Sequence, residues 1–207
     1  RLLKLPRASA HMVETLAYYI EQAFDVKLHD KDLSFEIIID EKSKEMVCEF
    51  LKRHRLRVRG SHSEEGTPYI VFNLSAPDAD RKISATQAKA IANHLSRQES
   101  LRTVLISAPF DNEMAKDVER SVSSPSVIVF PEEGSATLLQ IASLIEGAIA
   151  VITPHTSIIH FASAMHAPVL GFFSTAQEMH EWLPYRVKYA LVVAEQGQHT
   201  SSIPFDL

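Results

Sequence analysis

The chain of 207 residues has one cysteine, Cys48, so it cannot form an internal disulfide. This usage fits a reducing compartment. Cys48 falls within a helical pattern and is expected to be a small buried hydrophobe. Only six glycines are present. None completes a G-x-G-x-x-G run or a Walker lysine motif, which argues against a nicotinamide dehydrogenase or a P-loop NTPase. The G-x-S-x-G elbow of α/β hydrolases is missing too. No apolar run approaches the roughly 20 residues that a membrane-spanning helix needs, and no signal peptide is recognisable. The ten histidines form no close ligand cluster. Neither the pair His155 and His160 nor the pair His160 and His166 has the i, i+4 spacing of a helical zinc motif, so no metal site is expected. Net charge is −5. The one basic stretch, Lys52-Arg53-His54-Arg55 with Arg57 and Arg59, reads as a solvated helix end and bridge, and no nucleic-acid partner is expected. The first residue is Arg1, not Met, so the chain is expected to have been cut or processed from something longer.

What is present is ordinary globular material, with 45% hydrophobic and 23% charged residues, enough for a core that needs no covalent staples. From the middle of the chain onward, apolar β-branched runs alternate with helical patterns. Strands are expected at Tyr69–Leu74, Thr103–Ser107, Ser126–Phe130, Ala148–Thr153 and Pro168–Phe173, with Tyr189–Ala194 a sixth strand or a tail element. Helices are expected between them: Ile83–Leu95 with Ser84 as N-cap, the polar Asp111–Val122, and the apolar Ser135–Glu146 and Thr156–His166. Strands that are apolar throughout imply a parallel sheet covered on both faces. Right-handed crossovers then give an α/β, Rossmann-like, doubly wound sheet, whose ligands bind outside the carboxyl ends of the strands. The loops at 73–82, 108–113, 131–137, 154–157 and 174–184 are therefore the ones to watch.

The first 60 residues read differently. They contain an amphipathic helix, Met12–Phe24, a short strand, Phe35–Ile39, and a helix, Glu41–His54, with Met46, Val47, Phe50 and Leu51 on its apolar face. Residues 1–60 are taken as the end of a preceding α/β domain and a bridge, 61–68 as a polar, turn-rich linker, and 69–207 as the Rossmann-like domain.

The most informative stretch runs from Ala150 to Phe173. A buried strand ends at Thr153, Pro154 fixes a turn, and Thr156 and Ser157 open a buried helix. Free amides in a first helical turn, at the carboxyl edge of a sheet, make an anion site. The hydroxyls of Thr156 and Ser157 either add donors to a phosphate or only cap the helix. His160 lies among Ile158, Ile159, Phe161 and Ala162. It reads as a packed histidine bonded to backbone or a loop rather than as a general base.

Residues Pro154-His155-Thr156-Ser157-Ile158-Ile159-His160-Phe161-Ala162-Ser163-Ala164, followed by Pro168, resemble the signature of the heptosyltransferases of glycosyltransferase family 9. Phe172-Phe173-Ser174-Thr175 with Trp182-Leu183-Pro184 resembles the end of that signature. Upstream, Ser135 to Ala142, Val71 to Ser75 and the basic pair Arg81-Lys82 resemble the family's preceding elements, so the likeness spans about residues 69–185. The resemblance implies the C-terminal, donor-binding domain of a GT-B glycosyltransferase. Such an enzyme would move a heptose or related sugar from a nucleotide sugar, ADP-heptose above all, to a lipopolysaccharide core acceptor, without a metal or other cofactor. His155, Thr156 and Ser157, with Ser75 and Lys82, would hold the donor phosphates. Lys82 is otherwise a solvated loop lysine. Asp111 or Glu113 would bind the ribose, and Phe130 and Pro131 the base. Glu113 is otherwise an exposed helix charge, and Glu132 and Glu133 read as surface charges. The catalytic base would lie in a missing N-terminal domain. The parent would work in the cytoplasm, with peripheral association at the inner face of a bacterial inner membrane. The family carries Asp where this chain has His155, and histidine cannot copy an acceptor-only carboxylate. A catalytically degenerate nucleotide or nucleotide-sugar binding module is therefore the alternative.

Overall fold

The computed structural model describes residues 11–122, 124–174 and 179–205. Helix α1 spans Met12–Phe24; the His11 ring accepts the Val13 amide at its start, and Asp25 closes it in the left-handed conformation. Helix α2, Glu41–Arg53, is capped by the Asp40 carboxylate, which accepts the Ser43 amide. The Asp40 carboxyl is held below its ordinary 3.8, first by the Ser43 amide and then by the Ser43 hydroxyl. Then follow β1 (Leu56–Arg57), β2 (Thr67–Asn73), α3 (Ala85–Ser96), β3 (Arg102–Ile106), α4 (Asn112–Ser121), β4 (Val127–Val129) and α5 (Leu138–Gly147). The chain goes on through β5 (Ala150–Pro154), α6 (Ile158–Ala164), β6 (Val169–Phe173), α7 (Met179–Trp182) and β7 (Tyr189–Val193). Ser84 caps α3 as expected, in a reciprocal box with Gln87, and Thr137 with Gln140 does the same for α5. Among the described residues no helix is long and apolar enough to cross a membrane.

The sheet runs in the order β4-β3-β2-β5-β6-β7, with β1 beside the start of β2, and every pairing is parallel. This is the doubly wound order, and its direction switches between β2 and β5. Alternate residues of one strand feed two cores. Tyr69 and Val71 of β2 pack with Val47 and Phe50 of α2, Ile141 and Leu144 of α5 and Ile159 of α6. Ile70 and Phe72 pack with Ala88 and Ile91 of α3 and Val118 of α4. Both sheet faces are dry, which is why these strands are apolar throughout rather than alternating. Helix α2 shares the first of these cores, so the residues before the linker pack on the same sheet as those after it.

Two expectations are corrected. Residues 35–39 form no strand. Phe35, Ile37 and Ile39 turn inward onto the first core while Ile38 is 84% exposed. The alternation is that of a strand, but the segment lies extended on the core without a ladder partner. Cys48 is exposed. The inner face of α2 is set by Ser43, Val47, Phe50 and Leu51, and one further residue rotates Cys48 away from Val47 by about 100°.

Candidate functional site

At the switch in strand order, β2 ends on Asn73 and β5 on Pro154. Buried Asn73 ties the two ends together. Its Nδ2 donates to the Ser75 carbonyl at 3.0 Å, to Thr153 Oγ1 at 3.0 Å and to Thr156 Oγ1 at 3.3 Å, while its Oδ1 accepts the Ser75 amide at 3.2 Å. The Thr153 hydroxyl donates to the Pro154 carbonyl at 2.8 Å and lies 3.2 Å from that of Thr156. Thr156 also accepts the Ile158 amide at 3.3 Å, so its hydroxyl caps α6 and closes the network. Ser75 Oγ accepts the Ala108 amide at 2.8 Å, which leaves its own hydrogen to donate. Among the described residues, the amides of Thr156 and Ser157 have no acceptor.

Those amides border a cleft of about 860 Å³. Its floor is polar: Asn73, Ser75, His155, Thr156 and Ser157. One wall is apolar, built by Ile106, Pro109, Phe110, Leu138 and Ile141. Phe110 and Leu138 are 68% and 61% exposed, so this wall is uncovered hydrophobic surface. His160, Glu181 and Trp182 line the cleft too. The cation on the lining is Arg81, paired with Asp78 at 3.0 Å.

His155 is 6% exposed, with its ring stacked on Phe173 at 4.6 Å. His160 is held by ring packing, not by the hydrogen bonds expected from the sequence. It lies 5.3 Å from the Phe35 ring and 5.7 Å from Trp182, and among the described residues its buried Nδ1 has no partner. Burial first, and then electrostatic coupling to His11 and His155, pushes its imidazole below the ordinary 6.5.

The expected site residues are only partly brought together. Ser75, His155, Thr156 and Ser157 share the cleft. Lys82 sits just behind it, with Nζ donating to Asp111 Oδ1 at 3.0 Å and lying 4.9 Å over the Phe110 ring. Asp111 Oδ2 is buried without a partner among the described residues. Glu113 is exposed on α4 and outside the lining. Phe130 is buried against Phe50 at 4.8 Å. Pro131, after a cis peptide bond, borders a separate hollow of about 540 Å³ together with Glu132 and Glu133. Glu132 pairs there with Arg53, and with His54 at 3.0 Å. Thr175, and with it part of the 174–184 loop, lies outside the described residues. Sequence reasoning missed Asn73, Thr153 and Phe110. An amide and a hydroxyl closing two apolar strands 80 residues apart was the signal for the first two.

The family model of glycosyltransferase family 9 (heptosyltransferase) matches residues 1–203. The chain belongs to glycosyltransferase family 9. Among solved structures, the family 9 glycosyl transferase of Veillonella parvula DSM 2008 superposes with a TM-score of 0.72 at 18% identity, over 93% of this chain and 51% of that one. The ADP-heptose lps heptosyltransferase II of E. coli gives 0.58 at 18% identity, over 80% and 48%. E. coli heptosyltransferase WaaC with ADP-2-deoxy-2-fluoro heptose gives 0.54 at 21% identity, over 65% and 39%. The chain thus spans about half the length of the first two structures and less of the third, and at such identities the likeness concerns the fold. No curated protein matches the sequence.

Proposed function

We propose that this chain is the donor-binding half of a family 9 glycosyltransferase and holds a nucleotide sugar, with ADP-heptose as the donor, for transfer to a hydroxyl of a lipopolysaccharide core. The observation that carries this reading is the cleft at the β2/β5 switch, where the unpartnered amides of Thr156 and Ser157 meet an uncovered apolar wall. Donors of this kind suit a diphosphate and the wall suits a flat base. The phosphate contacts are the Thr156 and Ser157 amides and the Ser75 hydroxyl, with His155 shaping the turn. Lys82 reaches the phosphates by exchanging its Asp111 partner for them, and the freed Asp111 carboxylate meets the ribose.

In the transfer, the acceptor oxygen bonds to the sugar's anomeric carbon as the bond from that carbon to the phosphate oxygen breaks. The electron pair leaves with the nucleoside diphosphate, and this domain's amides and cations stabilise the growing charge. The base that takes the acceptor proton belongs to the acceptor side, and the parent works at the cytoplasmic face of a bacterial inner membrane. No metal or cofactor enters the step, so a chelator is expected to leave donor binding unchanged.

A second reading, a binding module without transfer, is favoured by His155 standing where the family has a carboxylate. Calorimetry of this chain with ADP, UDP and GDP tests the first reading. Binding of ADP in preference to the other two supports it, and binding of none of the three would remove it. Activity of the full-length parent against a donor panel separates transferase from module.

A further inference from the structure

Arg81 ends the short turn Ala79–Arg81, and Lys82 follows it. Past β7 the chain returns to this turn and to the start of α3, where residues 199–205 form a strap. The strap takes hold on both sides of the two cations. Before them, His199 Nδ1 lies 2.8 Å from Asp80 Oδ1. After them, Gln87 Nε2 donates to the carbonyls of Thr200 at 3.1 Å and of Ile203 at 2.8 Å, while its Oε1 accepts the Ser84 amide at 2.7 Å. Gln87, Thr200 and Ile203 are all buried, so water does not compete for this tie. Ile203 enters the second core, and the Phe205 ring packs on Phe172 at 5.7 Å. A helix cap uses only the oxygen of a glutamine amide, and here the nitrogen goes to the strap. Gln140 caps α5 in the same way and has no such second contact among the described residues.

Resting on the donor-binding reading above, we infer that the C-terminal strap positions Arg81 and Lys82 for a diphosphate, with Gln87 and the Asp80–His199 pair as its positioning contacts. Neither Gln87 nor His199 lines the cleft, so both act through the segment between them. A segment fixed at both ends has little freedom left to lose when phosphates arrive, so its ordering is paid in folding and not in binding. Releasing either end returns that cost to the ligand.

The test is calorimetry of the full 207-residue chain with ADP in about 0.15 M salt, where distant charges are screened. His199→Ala and Asp80→Ala each break the outer tie, and both side chains are more than half exposed, so the fold and the urea midpoint stay as in the parent. Both variants are expected to bind ADP about twofold more weakly. Asp80→Ala separates position from charge. It removes an anion from beside the two cations, so a plain charge effect would strengthen ADP binding. Gln87→Met keeps the side chain's length without its amide, and is expected to weaken ADP about tenfold. If Gln87→Met fails to fold, the two exposed variants decide. Stronger binding by Asp80→Ala, or unchanged affinity in either exposed variant, would overturn the inference and leave the donor-binding reading standing. A wild-type chain that binds no ADP would overturn the donor-binding reading itself, and this inference with it.

Discussion

Asn73 joins more of the site than any other side chain. Its amide group serves Ser75, Thr153 and Thr156 at once, across the gap between β2 and β5. Asn73→Ala would leave the Ser75 amide without its acceptor and take one donor from the Thr153 and Thr156 hydroxyls. The expected loss is about 1–3 kcal/mol in urea unfolding, together with weaker ADP binding. Unchanged stability would mean the network relaxes onto water. His160 makes a pH prediction. Its folded pKa lies below the ordinary 6.5, so as pH falls through 6.5 the unfolded chain takes up this proton before the folded one does. This group therefore costs nothing above that range, and it lowers stability progressively as pH drops toward the folded value. His160→Gln should flatten the decline between neutral pH and about pH 5.5 in thermal melts, relative to the parent chain. An equally steep decline would move the effect to other histidines.

At the scale of elements, a single buried side chain ties β2 to α5. Buried Tyr69 donates its hydroxyl to the Leu144 carbonyl at 2.8 Å, and burial pushes its pKa well above the ordinary 10.0. Gly147 ends α5 against that hydroxyl; a Cβ there would come within 2.5 Å of it and 2.9 Å of Val58. Gly147→Ala should therefore destabilise by about 1–3 kcal/mol. Adding Tyr69→Phe should return part of that loss, because the nearest colliding atom is gone; a strictly additive double variant would show that Val58 alone matters. Arg59 reinforces the same corner by donating to the carbonyls of Glu146 and Met165 at 3.2 Å and 2.6 Å, where helices α5 and α6 end. These elements were readable from the sequence because each carries its own signal. Ser84 announces α3 as its N-cap, and the apolar run from Ser126 to Phe130 announces the strand that forms over Val127–Val129. Phe35–Ile39 misled for the reason that alternation reports one buried face and says nothing of a neighbouring strand.

For the molecule as a whole, a ligand that binds only the folded state raises stability by mass action. ADP at about one hundred times its Kd should add about 2.7 kcal/mol and raise Tm. The increase should shrink in Asn73→Ala, and no shift with ADP in the parent chain would count against the donor site. By itself the sequence determined the parallel, doubly covered sheet, the strand–turn–helix at Thr153 to Ile158, and the family, because periodicity, caps and a contiguous motif are local properties. Only the tertiary structure decided which loops meet. It brought Phe110 and Trp182 to one cleft, tied Lys82 to Asp111 and kept Phe130 in the core. Those placements depend on strand order and crossover packing, which join residues far apart along the chain, and no local pattern encodes that distance.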